Sequence, residues 1–184
     1  SAASDVYKRQ EIYDQPQTAK NWLENYLIQN LEDGQYQINY PFDTKFFESI
    51  ERIEIIACGT SKHAAMVGSF LLEQFSGIPT NVFYASEFRY SPPPLLPNTL
   101  TIGVTQSGET ADTIAAIDME IKRRNLNENK KFKPNLIAIT NRKESSIGRQ
   151  VLNIIDICAG IEVGVAATKT FFGQLLSFYG LAIK

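Results

Sequence analysis

The chain of 184 residues is poor in the side chains that build metal and nucleophile sites, with two cysteines, Cys58 and Cys158, and one histidine, His63. They approach no zinc spacing, so no metal is expected. Scarce cysteine suits a reducing cytoplasm better than a disulfide-stapled exterior. A charge excess is missing too. Lys and Arg number 18 against 20 Asp and Glu, a formal net charge of −2, whereas nucleic-acid binding shows as a clustered basic excess. The one basic run, Lys122 to Lys133, reads as a solvated helix end and loop. No apolar run is long enough to span a bilayer and no secretory signal is evident, so neither membrane nor export is expected. The usual nucleotide fingerprints are absent as well. No GxGxxG occurs, and in the nearest approach to a P-loop, Gly164 to Thr170, Thr168 stands where a glycine must precede the lysine. A nucleophile elbow is excluded because Thr105 stands two residues before Ser107, where glycine is required.

What is present is the composition of an ordinary globular domain, 43% hydrophobic and 21% charged, enough for one real core. The organising stretch is Val104 to Thr113, which joins an apolar strand to a helix through hydroxyl, amide and glycine groups. Before it, Thr99 to Val104 has the β-branched character of a strand buried on both faces. After it, Ile114, Ile117 and Ile121 recur at helical spacing. A helix starting here leaves its first amides unpaired at the positive end of its dipole, a place to hold a phosphate. The plain alternative is that Ser107 and Thr110 only cap the helix.

Around this stretch the pattern alternates. Pro16 to Leu31 reads as an amphipathic helix ended by Asp33-Gly34, and Asp43 is expected to cap a short helix through Phe46, Phe47 and Ile50. Strands are expected at Ile53–Ala57, Thr80–Ala85, Asn135–Thr140 and Val151–Ile157 besides the central one. These predict an α/β three-layer sandwich with a five-stranded parallel sheet in the flavodoxin-like order 2-1-3-4-5. Residues 1–50 form a linker and helical appendage; residues 51–184 form the domain. The opening SAASDVYKRQ carries no assignable pattern. Without an initiator Met, and ending inside an apolar helical run at Ile183-Lys184, the chain reads as a piece of something longer.

Ligands of such sheets bind beyond the strand carboxyl ends. Three turns belong there: Gly59-Thr60-Ser61, the run from Thr105 through Gln106, Ser107, Gly108 and Glu109 to Thr110, and Glu162 to Lys169. Two glycine-containing, hydroxyl-rich helix starts on one sheet edge raise the anion site above simple capping. Glu109 would repel a ligand unless it points away, so it reads as helix stabilisation or indirect support. Lys169 reads either as a partner of Glu162 or as an attractor of the ligand, with the structural role preferred. Cys58 directly follows a strand, lacks an adjacent base and reads as a buried apolar thiol, and His63 reads as a surface or packing residue. The helix from Trp22 to Leu31 and the run Phe171 to Ile183 are expected to leave apolar surface open for association.

These residues also resemble a known family. ACGTS at Ala57 to Ser61, ASEFRY at Ala85 to Tyr90, TQSGETADT at Thr105 to Thr113 and EVGVAATKTF at Glu162 to Phe171 look like the first sugar isomerase (SIS) domain of the glutamine–fructose-6-phosphate aminotransferases, and Lys8 to Pro16 resembles their linker. The resemblance implies that Thr60, Ser61, Thr105, Gln106, Ser107 and Thr110 surround a sugar phosphate. It implies further that the backbone around Val165 to Ala167 lies along the sugar, and that Gly59, Gly108, Glu109, Glu162 and Lys169 support the site from behind. It implies a second SIS domain, a glutaminase domain and a homodimer, and no cofactor. The acid–base groups of the reaction match nothing here, so this chain is expected to bind without catalysing. Two departures stand out: Thr105 and Ala167 occupy positions where the family usually or often has Ser. Thr keeps the hydroxyl, whereas Ala forfeits one polar contact. The same fold could instead serve a non-catalytic phosphosugar sensor of a transcription regulator, or a related phosphosugar isomerase or deglycase.

Overall fold

The computed structural model describes residues 2–184. Its elements run α1 (Ala2–Tyr13), α2 (Gln15–Tyr26), β1 (Leu27–Gln29), β2 (Tyr36–Ile38), β3 (Arg52–Ala57), α3 (Gly59–Ser76), β4 (Thr80–Tyr84) and α4 (Ala85–Phe88). There follow β5 (Thr99–Thr105), α5 (Ala111–Asn125), β6 (Asn135–Thr140), α6 (Ser146–Gln150), β7 (Ile154–Asp156) and α7 (Lys169–Ala182). The main sheet is parallel in the order β4-β3-β5-β6-β7, the arrangement expected from the alternation of strand and helix.

Strand periodicity divides the core into two layers. Ile53, Ile55 and Ala57 of β3 face Leu72 of α3 and Phe178 and Leu181 of α7, whereas Ile56 joins Phe88, Ala116, Ile117 and Ile147 beneath α4, α5 and α6. Glu54 shares the latter side and meets a buried ionic cluster. Arg124 is wholly buried, bonds Glu120 at 2.6 Å, lies 3.6 Å from Glu54 and donates to the carbonyls of Leu96 and Phe132. Burial, reinforced by the Glu120 charge, pushes the Glu54 carboxyl up to about 7 against the pull of Arg124.

The segment before β3 departs from expectation. The helix expected to reach Leu31 stops at Tyr26, and an antiparallel hairpin pairs Ile28 with Gln37. Turn chemistry prevails over helical periodicity here: the Asn30 and Asp33 carboxamide and carboxylate oxygens accept from the amides of Glu32 and Gln35, and Gly34 closes the turn at φ +71°. Asp43 starts a single 3-10 turn, Lys45–Ser49, rather than an α-helix. The last strand is likewise shorter than expected, because Val151 closes α6 with a bond to Ile147 and Leu152 is exposed.

The aromatic face of α2 is not open. Trp22 and Tyr26 are buried against α7, with the Trp22 indole donating to Ser177 Oγ at 3.1 Å and the Tyr40 hydroxyl donating to the Ser177 carbonyl. Each apolar surface covers the other in part, while Leu31, Tyr179 and Ile183 stay exposed as expected. Tyr26 also reaches the outer edge of β7, where its hydroxyl donates to the Asp156 carbonyl and accepts from the Asp156 amide.

Candidate functional site

The register pairs Ala57 with Val104, so the turns after β3 and β5 leave the sheet side by side at its carboxyl edge. Their helices begin without side-chain caps. The hydroxyl of Thr110, the N-cap of α5, shares a hydrogen bond of 2.8 Å with the Thr105 hydroxyl, and Cys58, the N-cap of α3, makes no capping bond. The first amides of α3 and α5 therefore have no side-chain partner. The start of α7 is different. Glu162 accepts from the amides of Thr168, Lys169 and Thr170 and from the hydroxyls of Thr168 and Thr170, an internal anion occupying that helix terminus.

The turn after β5 is held rigidly. Thr105, almost wholly buried, accepts from the Gly108 amide, and Ser107 Oγ accepts from the Glu109 amide. Gly108 sits at φ +69° and passes so close to Ser145 that a Cβ would fall on the Ser145 hydroxyl. Glu109 points away from the turn and caps α6, accepting from the Ser146 amide at 2.8 Å and hydroxyl at 2.6 Å. Those two donors hold its carboxyl below the usual glutamate range, helped by the charges of Arg149 and Arg142. The repulsion expected of a carboxylate in this turn is thereby removed.

Of the residues expected to line the site, Gln106, Ser107 and Glu162 share a cavity of about 370 Å³ with Asn141, Arg142, Glu144, Gly160 and Ile161. Thr60, Ser61, Thr105, Thr110, Val165 and Ala167 do not line it. Thr60 is exposed at the start of α3, beside Gly59 at φ +55°, and the buried Ser61 hydroxyl accepts from Gln174 Nε2. Val165 is fully exposed and Ala167 half-buried on an arc pinned at its base by Glu11 of α1, which accepts from the amides of Val163 and Gly164. Lys169 pairs with Asp14 at 3.1 Å rather than with Glu162, whose oxygens the helix start has taken. His63 is exposed and Cys58 half-buried. The Cys158 thiol donates to the Asp156 carbonyl and is pushed up to about 11, chiefly by burial, which leaves it no thiolate character.

Sequence reasoning missed the turn after β6. The Asn141 amide donates to the Gln106 carbonyl at 3.1 Å, while its side chain accepts from the Ala159 amide and donates to the Gly160 carbonyl, joining the ends of three strands. The same strand-end rule would have pointed to it, since β6 ends at Thr140.

A family model described as the SIS domain matches residues 46–184. The chain belongs to the SIS-domain family. It is 55% identical over 182 residues to a glutamine–fructose-6-phosphate aminotransferase of Thermosynechococcus vestitus, covering 97% of this chain and 29% of that protein, and 51% identical to one of Synechocystis, covering 94% and 28%. Among solved structures, the C-terminal domain of glucosamine-fructose-6-phosphate aminotransferase from Francisella tularensis matches with a TM-score of 0.82 at 31% identity, covering 96% of this chain and 46% of that one. The SIS domain here thus spans less than a third of the length of these curated relatives, and the resemblance carried by the four motifs is borne out.

Proposed function

We propose that this SIS domain binds the phosphosugar of a glutamine–fructose-6-phosphate aminotransferase, the enzyme that converts fructose 6-phosphate and glutamine to glucosamine 6-phosphate and glutamate. The observation that carries this reading is the pair of uncapped helix starts on adjacent strands, set against the α7 start that Glu162 fills. A simple capping role would have sent the Thr110 hydroxyl to its own helix, whereas it braces Thr105. In this reading the amides of Gln106, Ser107 and Thr110 and the hydroxyls of Thr60, Ser61, Ser107 and Thr110 receive the phosphate, while Thr105, holding the Gly108 amide, sets the shape of the turn. The backbone of Val165 to Ala167 borders the sugar.

No residue of this chain is assigned to proton transfer. Catalysis belongs to a second SIS domain and to a glutaminase domain elsewhere in a cytoplasmic homodimer, with residues 1–50 linking the halves and 51–184 forming the domain. The test is calorimetry of fructose 6-phosphate on the wild type, Ser107→Ala and Thr110→Val, with denaturant stability measured alongside. Loss of a hydroxyl bonding a charged ligand should weaken binding about ten- to a hundred-fold, with stability of Ser107→Ala little changed. The wild-type chain alone should form no glucosamine 6-phosphate from fructose 6-phosphate and ammonia. Lost stability at unchanged affinity would return both residues to structural roles.

A further inference from the structure

The cavity beside the Gln106–Ser107 turn carries a cation whose position suits an anionic ligand. Arg142 lines it, and its amide is fixed to Thr140 Oγ1 while the neighbouring Asn141 amide is fixed to the Gln106 carbonyl. The side chain thus stands on a backbone tied directly to the turn with which it shares the cavity. Its side chain makes no ion pair among the described residues. No acidic group nearby forms an ion pair with it, although its charge helps to hold the Glu109 carboxyl low. Glu162 is spent on the α7 start, and Glu109 turns both oxygens to Ser146. Glu144, the remaining carboxylate of the cavity, pairs with no cation among the described residues.

We propose that Arg142 is a binding residue for the phosphate of the phosphosugar, closing the neutral-donor cradle with a charged fork from the β6 side. This rests on the reading of the cradle given above. A cradle of amides and hydroxyls supplies direction but only partial charge, and a guanidinium supplies a full charge with two parallel donors. Being exposed at the rim, it acts in a medium where salt screens it.

The test is calorimetry on the full-length protein that carries this chain, with fructose 6-phosphate and inorganic phosphate as probes, at low and at high salt. Arg142→Gln should weaken both probes about tenfold at low salt and flatten the salt dependence of the wild type. Arg142→Lys should keep that dependence and recover part of the affinity. The denaturant midpoint should move little, since the side chain makes no ion pair among the described residues and acts on the exposed Glu109 carboxyl only as a minor charge. If Ser107→Ala weakens both probes and Arg142→Gln leaves them unchanged, this assignment is overturned and the cradle stands. If the wild type binds neither probe, or neither substitution changes their affinity, both the assignment and the cradle fall.

Discussion

Gly108 is the least replaceable residue of the site, for two separable reasons. Its left-handed backbone costs any L-residue about 1–2 kcal/mol, and a methyl group there overlaps Ser145. Gly108→Ala should therefore destabilise the domain beyond the backbone cost, measured by denaturant unfolding. Adding Ser145→Gly should return the steric part alone, leaving the double variant short of wild-type stability; strict additivity would show that the overlap is relieved elsewhere. At this scale the chemistry was legible and the partners were not. The hydroxyls at 105, 107 and 110 were visible as ligand candidates, yet whether Thr110 caps its own helix depends on a rotamer that only the packed turn selects. Glu109 serving Ser146, and Lys169 serving Asp14 in place of Glu162, are contacts between residues distant in the chain, which no local spacing encodes.

Among elements, the junction of β3 and α5 carries the largest buried charge. Because burial raises the Glu54 carboxyl to about 7, the folded state holds a proton that the unfolded state releases near its ordinary pKa of 4.5. Stability from this group is full below about 4.5, falls as pH rises towards about 7, and changes no further above it. Glu54→Gln should flatten that portion of a stability–pH profile, and an unchanged slope would place the titration on another group. The alternation of strand and helix from residue 52 onward was legible because buried parallel strands are nearly continuous apolar runs. The segment before it was not. There, helical spacing continued to Leu31 on paper, but Asn30, Asp33 and Gly34 form a turn whose preference is local and stronger.

For the whole molecule, exposed apolar side chains gather on α3, where Met66, Val67 and Phe70 stand at helical spacing. In the proposed reading a second SIS domain covers this face. Until it is present, the isolated chain should self-associate through this patch. Phe70→Glu should shift sedimentation towards monomer, and unaltered association would assign the contact elsewhere. The sheet's own border is better guarded. The Tyr26 hydroxyl occupies both the donor and the acceptor of Asp156 on outermost β7, the position at which a foreign strand would otherwise begin to add. A single phenol thus acts as a stopper against fibril growth. Tyr26→Phe, which keeps the ring packed on Trp22 and Tyr40, should leave the domain folded yet shorten the lag before thioflavin-positive aggregates form under agitation, with no shortening if the stopper is redundant.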